Sequence, residues 1–229
     1  MTLKNLYIHI GTHKTGTSTI QRALREQKSD LNREGIFYIS PTDSIKYLIN
    51  VEKLEQTASN NIRDDISSII DANNSYQNFV LSWEGLSGSY YGGYYNSEVI
   101  AKTLKAALDK MPIKVHIIVY LREQVEFINS LYIQTIHSGR DIPLDVFLDK
   151  INFKTSYNWN QLIENYNLFD SIVVKEYKSL SKDGEDNIIQ GFGRIINSST
   201  FINSDTDSYT NKSYNLSAFK LAKKVNLSL

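Results

Sequence analysis

The chain has 229 residues, 41% of them hydrophobic and 22% charged, which suffices for one good core and predicts a single domain over residues 1–229. Its 25 basic residues are balanced by 25 acidic ones, so anions must be recognised locally and nucleic acid is a poor partner. There is no cysteine, hence no disulfide framework, thiol nucleophile or thiolate metal site, and the longest apolar runs are strand-sized, too short for an ordinary membrane span.

The first strand is predicted within a few residues of Met1, which leaves no room for a signal peptide and makes a cytoplasmic location the default expectation. Leu6 to Gln21 then reads as a buried strand, a glycine-bounded loop and a helix start. Gly11 and Gly16 have the G-x-x-x-x-G spacing that lets a loop wrap an anion with backbone N–H groups at a helix N-terminus. A helical stripe follows at Ile20, Ala23, Leu24 and Leu31, closed by Gly35 before a short strand, Ile36–Ile39. Helical patterns resume at Ile45, Leu48 and Ile49, and again at Ile62, Ile66, Ile69 and Ile70. Phe79 to Leu81 is the next buried strand, and Val99, Ile100, Leu104, Ala107 and Leu108 line the helix after it. Val115 to Leu121 is nearly continuous in apolar character, as a central parallel strand should be. Leu162 and Ile163 lie on a further helix, Ile172 to Val174 on a strand, and Ile188 to Ile196 on another helix. Alternation of this kind predicts an α/β fold, a central parallel sheet with helices on both faces, and ligands bound outside the carboxyl ends of the strands.

Three features fall at such strand ends: the Gly11–Gly16 loop, Arg122 after Leu121, and Glu84 in Val80-Leu-Ser-Trp-Glu84. A nucleotide triphosphatase places lysine directly after the second glycine, where it reaches the β- and γ-phosphates beside a magnesium ion. Here Thr17 and Ser18 follow Gly16, and the only lysine of the loop, Lys14, sits inside it. A lysine so placed lies against the terminal anion and can neutralise charge on a departing bridging oxygen. His9 alternates with Ile8 and Ile10 and reads as a packed strand residue; His116 and His137 have similarly plain readings, and the four histidines show no metal-ligand spacing.

The string His9-Ile-Gly-Thr-His-Lys-Thr-Gly-Thr-Ser18 resembles the 5′-phosphosulfate-binding loop of the sulfotransferases that use 3′-phosphoadenosine 5′-phosphosulfate (PAPS), particularly a bacterial glycan-modifying branch. A second stretch, Ile117 to Tyr132, is similar to that family's 3′-phosphate segment, a strand ending in arginine followed by a helix with serine eight residues on: Arg122 and Ser130. Within one helix that spacing separates two side chains by ~12 Å along the axis, so Arg122 must precede the helix and reach over its first turns. The resemblance implies a P-loop-type sheet like that of sulfotransferases and nucleotide kinases, PAPS as co-substrate with no metal required, and a carbohydrate or other hydroxyl acceptor. It implies that backbone amides of Lys14, Thr15, Gly16, Thr17 and Ser18 hold the 5′-phosphate, with the Thr17 and Ser18 hydroxyls as further donors. Lys14 would be the electrophilic catalyst and Glu84 the base that deprotonates the acceptor, with His13 its rival for that role. Lys212 and Ser213, in Asn211 to Ser217, resemble the polar segment that closes over the 3′-phosphate side. The tyrosine-rich Gly85–Tyr95 stretch reads as a flexible loop, either an acceptor-binding lid or plain surface. A P-loop small-molecule or nucleotide kinase using ATP, and a non-catalytic nucleotide-binding module, remain the alternatives.

Overall fold

The computed structural model describes residues 3–41, 56–140, 142–152, 155–178 and 187–204. Ile45, Leu48, Ile49, Lys212 and Ser213 lie outside the described residues. The elements in chain order begin with β1 (Lys4–His9), α1 (Thr17–Glu26), α2 (Lys28–Arg33), β2 (Ile36–Ile39), α3 (Gln56–Ala72) and β3 (Asn78–Ser82). Two short 3₁₀ turns, Glu84–Ser87 and Tyr90–Gly92, lead to α4 (Ser97–Leu108), β4 (Ile113–Leu121), α5 (Gln124–His137) and α6 (Leu144–Asp149). The described chain closes with α7 (Trp159–Tyr166), β5 (Ser171–Glu176), α8 (Ile188–Ile196) and α9 (Ser199–Ile202).

The five strands form one sheet in the order β2-β3-β1-β4-β5, and every pairing is parallel. The reason the strands read as unbroken apolar runs is that both faces are covered. Successive side chains of β1 point to opposite sides, Leu6 and Ile8 into one core and Tyr7 into the other. The first core is closed by α3 (Ile62, Ile66, Ile70), α4 (Ile100, Leu104, Leu108) and α7 (Leu162, Tyr166). The second is closed by α1 (Ile20, Ala23, Leu24), α8 (Ile189, Phe192, Ile196) and Phe201 of α9. This is the α/β architecture with helices on both faces that the alternation predicts.

Strand order also locates the site. β1 lies in the middle, between β3 and β4, so the carboxyl ends of all three converge. Connections leave this point toward opposite edges of the sheet, which opens a crevice there. No described helix is long and apolar enough to cross a membrane.

Candidate anion-binding site at the strand ends

The loop after β1 is held open by its backbone. Gly11, Lys14 and Gly16 all have positive φ, at 38°, 62° and 77°. Left-handed residues alternating with ordinary ones turn successive N–H groups toward a common centre, which is how a chain builds an anion nest. At Gly16 the positive φ disfavours any side chain, and a Cβ there would also push on Ile188 Cδ1, 2.5 Å away. Gly16 then caps α1 with its carbonyl, accepting from Thr19 and Ile20 N–H at 2.9 and 3.1 Å, and no side chain caps that helix end. The leading N–H groups of α1 are therefore available to an anion.

Threonines brace the loop from beneath. The Thr12 hydroxyl donates to the Tyr120 carbonyl of β4 at 3.0 Å, and the Thr15 hydroxyl donates back to the Thr12 carbonyl at 2.6 Å. Thr17 is also buried, its hydroxyl 3.5 Å from the same carbonyl. Ser18, in contrast, is exposed at the start of α1. Of the two hydroxyls expected to face the anion, Ser18 is open to it and Thr17 is turned inward.

Lys14 projects from the loop to solvent. Partial desolvation, and then the charge of Arg122, pull its pKa below the ordinary lysine value. Two cations from different strand ends thus feel each other across one space. Arg122 precedes α5, as the spacing requires, and its carbonyl is pinned by the Trp159 indole N–H at 2.9 Å. Its guanidinium lies over the Tyr177 ring, 5.7 Å from the centroid, and Nε donates to Glu126 Oε2 at 3.1 Å. Glu126 therefore stands beside Arg122 where Ser130 and a phosphate were expected to meet it; Ser130 is half-buried one turn further along α5. The Glu126 side chain is 55% exposed, so an arriving anion can displace this pair at little cost.

Glu84 opens the 3₁₀ turn that follows β3. One of its carboxylate oxygens, Oε2, is buried without a hydrogen-bond partner, and burial raises its pKa against a partial offset from its own backbone N–H. Its charge reaches Tyr94 electrostatically, as the smallest of the influences that act on that hydroxyl. His13 is driven the other way, down to about 4, by burial and then by Lys14. It is accordingly neutral at pH 7. Its ring packs on Tyr90 with centroids 4.2 Å apart.

Tyr94 is the residue that sequence reasoning missed. It is 4% exposed, and its hydroxyl accepts the His13 backbone N–H at 3.0 Å while lying 3.3 Å from His13 Nδ1. The Gly85–Tyr95 stretch is not a loose loop: its two 3₁₀ turns dock Tyr90 and Tyr94 against Phe127, Tyr157 and Trp159. Tyr91 and Tyr95 remain outside, at 70% and 66% exposure. The segment thus clamps the Gly11–Gly16 loop, and part of its aromatic surface still faces solvent.

His9 is packed in β1 as its alternation predicts. It is completely buried, its Nδ1 pairs with Ser82 Oγ at 2.8 Å, and its Nε2 has no partner beneath Gly11. Burial pushes its pKa down to about 3. His116 pairs Nδ1 with Ser171 Oγ at 2.8 Å and Nε2 with Asn5 Oδ1 at 3.2 Å, a structural arrangement at the other end of the sheet.

Fold and loop together define a parallel α/β protein with a P-loop-type strand, loop and helix at its centre. No family model matches the chain, and no curated protein matches it. Among solved structures, one from the PezAT chromosomal toxin-antitoxin system of the human pathogen Streptococcus pneumoniae is similar at 12% identity with a TM-score of 0.32, over 100% of this chain and 87% of that chain. A likeness that low carries no argument; the fold assignment rests on the strand order and parallel register.

Proposed function

We propose that the chain is a sulfotransferase that moves a sulfuryl group from PAPS to a hydroxyl of an acceptor, with a carbohydrate as the acceptor class. The observation that carries this reading is the position of Lys14, inside the loop at the end of β1 and within electrostatic reach of Arg122, with the half-buried Glu84 just beyond the end of the neighbouring strand β3. In this scheme the loop amides and the N-terminus of α1 hold the 5′-phosphate, and Ser18 adds a hydroxyl donor. Arg122, released from Glu126, takes the 3′-phosphate. The acceptor oxygen forms a bond to sulfur as the bond from sulfur to the bridging oxygen breaks. Glu84 takes the acceptor's proton, and Lys14 stabilises the charge left on the bridging oxygen. The products are a sulfate ester and 3′-phosphoadenosine 5′-phosphate.

Burial supports Glu84 in the base role, because a carboxyl raised toward neutrality takes a proton more readily than an ordinary one. His13, lowered to about 4, is the weaker base and serves better as a neutral ring against Tyr90. The discriminating experiment is thermal unfolding with 3′-phosphoadenosine 5′-phosphate, against ADP plus magnesium. A ligand at a hundredfold above its dissociation constant adds ~2.7 kcal/mol, a rise of roughly 5 to 10 °C for a chain of this length. A shift with the 3′-phosphorylated nucleotide alone supports the donor assignment. A shift only with ADP and magnesium replaces it with phosphoryl transfer from ATP, the second reading that a P-loop-type sheet admits.

A further inference from the structure

A cavity of about 520 Å³ lies beside β2, lined by residues of α1, α2, β2, the end of α3 and Trp83. Its size is that of a small-molecule site. Two of its lining side chains are cations, Arg25 and Lys28, and none of the described ones is acidic. In a chain whose charges otherwise cancel, this is a local positive wall. Aromatic and amide side chains, Phe37, Tyr38 and Trp83 with Gln21 and Asn73, make up much of the rest, with aliphatic surface from Ile39 and Ile69. Arg25 lies close enough to the Tyr38 hydroxyl to act on its ionisation, and the Lys28 ammonium lies over the Phe37 ring, 5.7 Å from its centroid. Neither of these contacts among the described residues uses all of the cation's donors, since Lys has three and Arg five.

The cavity is tied to the strand-end site. Gln21 Nε2 donates to the Ser82 carbonyl at 2.9 Å, and Trp83, which contributes to the wall, is the residue before Glu84. Arg25 lies one helical turn beyond Gln21, ~6 Å along α1, about the span of one pyranose ring. A ring seated on these aromatic faces can hold a charge at Arg25 and Lys28, in a cavity that adjoins the carboxyl end of β3.

We propose that this cavity is a binding site for an anionic sugar, one bearing a carboxylate or phosphate, whose charge is held by Arg25 and Lys28. Resting on the proposed transfer reaction, it would be the acceptor subsite; as a binding site it stands without that reaction. Isothermal titration with glucuronate, glucose 6-phosphate and neutral glucose as probes tests it, on the full chain with and without 3′-phosphoadenosine 5′-phosphate. At least one anionic probe should bind about tenfold or more tightly than glucose, as expected for charge-assisted hydrogen bonds. Which of the two does so identifies the anion. Lys28→Glu and the double variant Arg25→Ala/Lys28→Ala should abolish the preference, while Lys14→Ala retains it, because anion binding at the phosphate loop is separate. Both cations are exposed, so circular dichroism should show the variants folded. Equal binding of all three probes, no binding of any, or a preference that survives in the double variant overturns the proposal. An anion-selective sugar site together with no thermal shift from 3′-phosphoadenosine 5′-phosphate would leave this site standing and remove the donor assignment.

Discussion

Two histidine–serine pairs cross the sheet at its opposite ends, and they differ in one respect. At the amino end, His116 of β4 pairs with Ser171 of β5 through Nδ1, and its Nε2 is met by Asn5, so both ring nitrogens are used. At the carboxyl end, His9 of β1 pairs with Ser82 of β3 at the same 2.8 Å, yet its Nε2 is buried with nothing to bond. Glu84 nearby is likewise left with a buried oxygen unpaired. Buried polar groups without partners cost ~1–3 kcal/mol each, and native chains complete them unless something else is served. Of the two histidine pairs, the one at the amino end is complete, and the one beside the loop with Lys14 is not.

If that contrast marks function, substitutions at the carboxyl end should remove activity and those at the amino end should not. The largest expected effect is Glu84→Gln, which removes the base and should lower turnover with PAPS and an acceptor by ~10²- to 10⁴-fold. The pH profile supplies the sign. Glu84 must be ionised to accept a proton, and its pKa is raised, so wild-type activity should fall as pH drops through that raised value, while the residual activity of the variant should lose this limb. Lys14→Ala comes next, at roughly 100- to 1000-fold in turnover for loss of one preorganised charge at the departing oxygen. Ser171→Ala, measured in the same assay, should keep near wild-type turnover; a comparable loss there would erase the distinction between the two ends.

What could be read from the sequence follows the same division. The loop, α1 and the position of Arg122 were legible because glycine spacing and strand-length apolar runs are local signals. The bracing of that loop was not. Tyr94 meets His13 across 81 positions of chain, and at φ 68° it adopts a backbone conformation that no tyrosine propensity would suggest. Burial of Tyr90 and Tyr94 against Phe127, Tyr157 and Trp159 ordered a segment whose glycines and tyrosines read as flexible. The Arg122–Glu126 pair carries no distinctive sequence signal, because an i,i+4 ion pair at a helix start is ordinary, whereas the Arg122–Ser130 spacing stands out as a pattern. The cavity beside β2 has no motif at all; its walls come from four separate stretches of chain.

Stability gives a smaller, cleaner contrast. His9 is held neutral in the folded chain down to about 3, but takes its proton near 6.5 when unfolded. Below that upper value the unfolded state binds more protons, so stability falls as pH drops from about 6.5 toward 3. At pH 5 the loss from His9 alone is about 2 kcal/mol. Urea unfolding at pH 7.5 and pH 5 should show His9→Asn losing about that much less than wild type between the two. For His116, burial lowers the pKa while Asp170 opposes the shift, so His116→Asn should leave most of the acid slope in place. Equal flattening by the two variants would mean that the orphaned nitrogen of His9 carries no special cost.

The smallest effect separates the serines themselves. Ser82→Ala takes from a fully buried imidazole its one partner, whereas Ser171→Ala leaves His116 bonded to Asn5 and half open to water. The first should cost ~1–3 kcal/mol and the second about 1 kcal/mol or less, read as a difference in urea midpoint at pH 7.5 with an unchanged slope. If Ser82→Ala proved the milder of the two, water or a bound anion must already reach the His9 ring from the loop side. The unpaired nitrogen would then belong to the anion site itself, and its Nε2 would join the donors beneath Gly11.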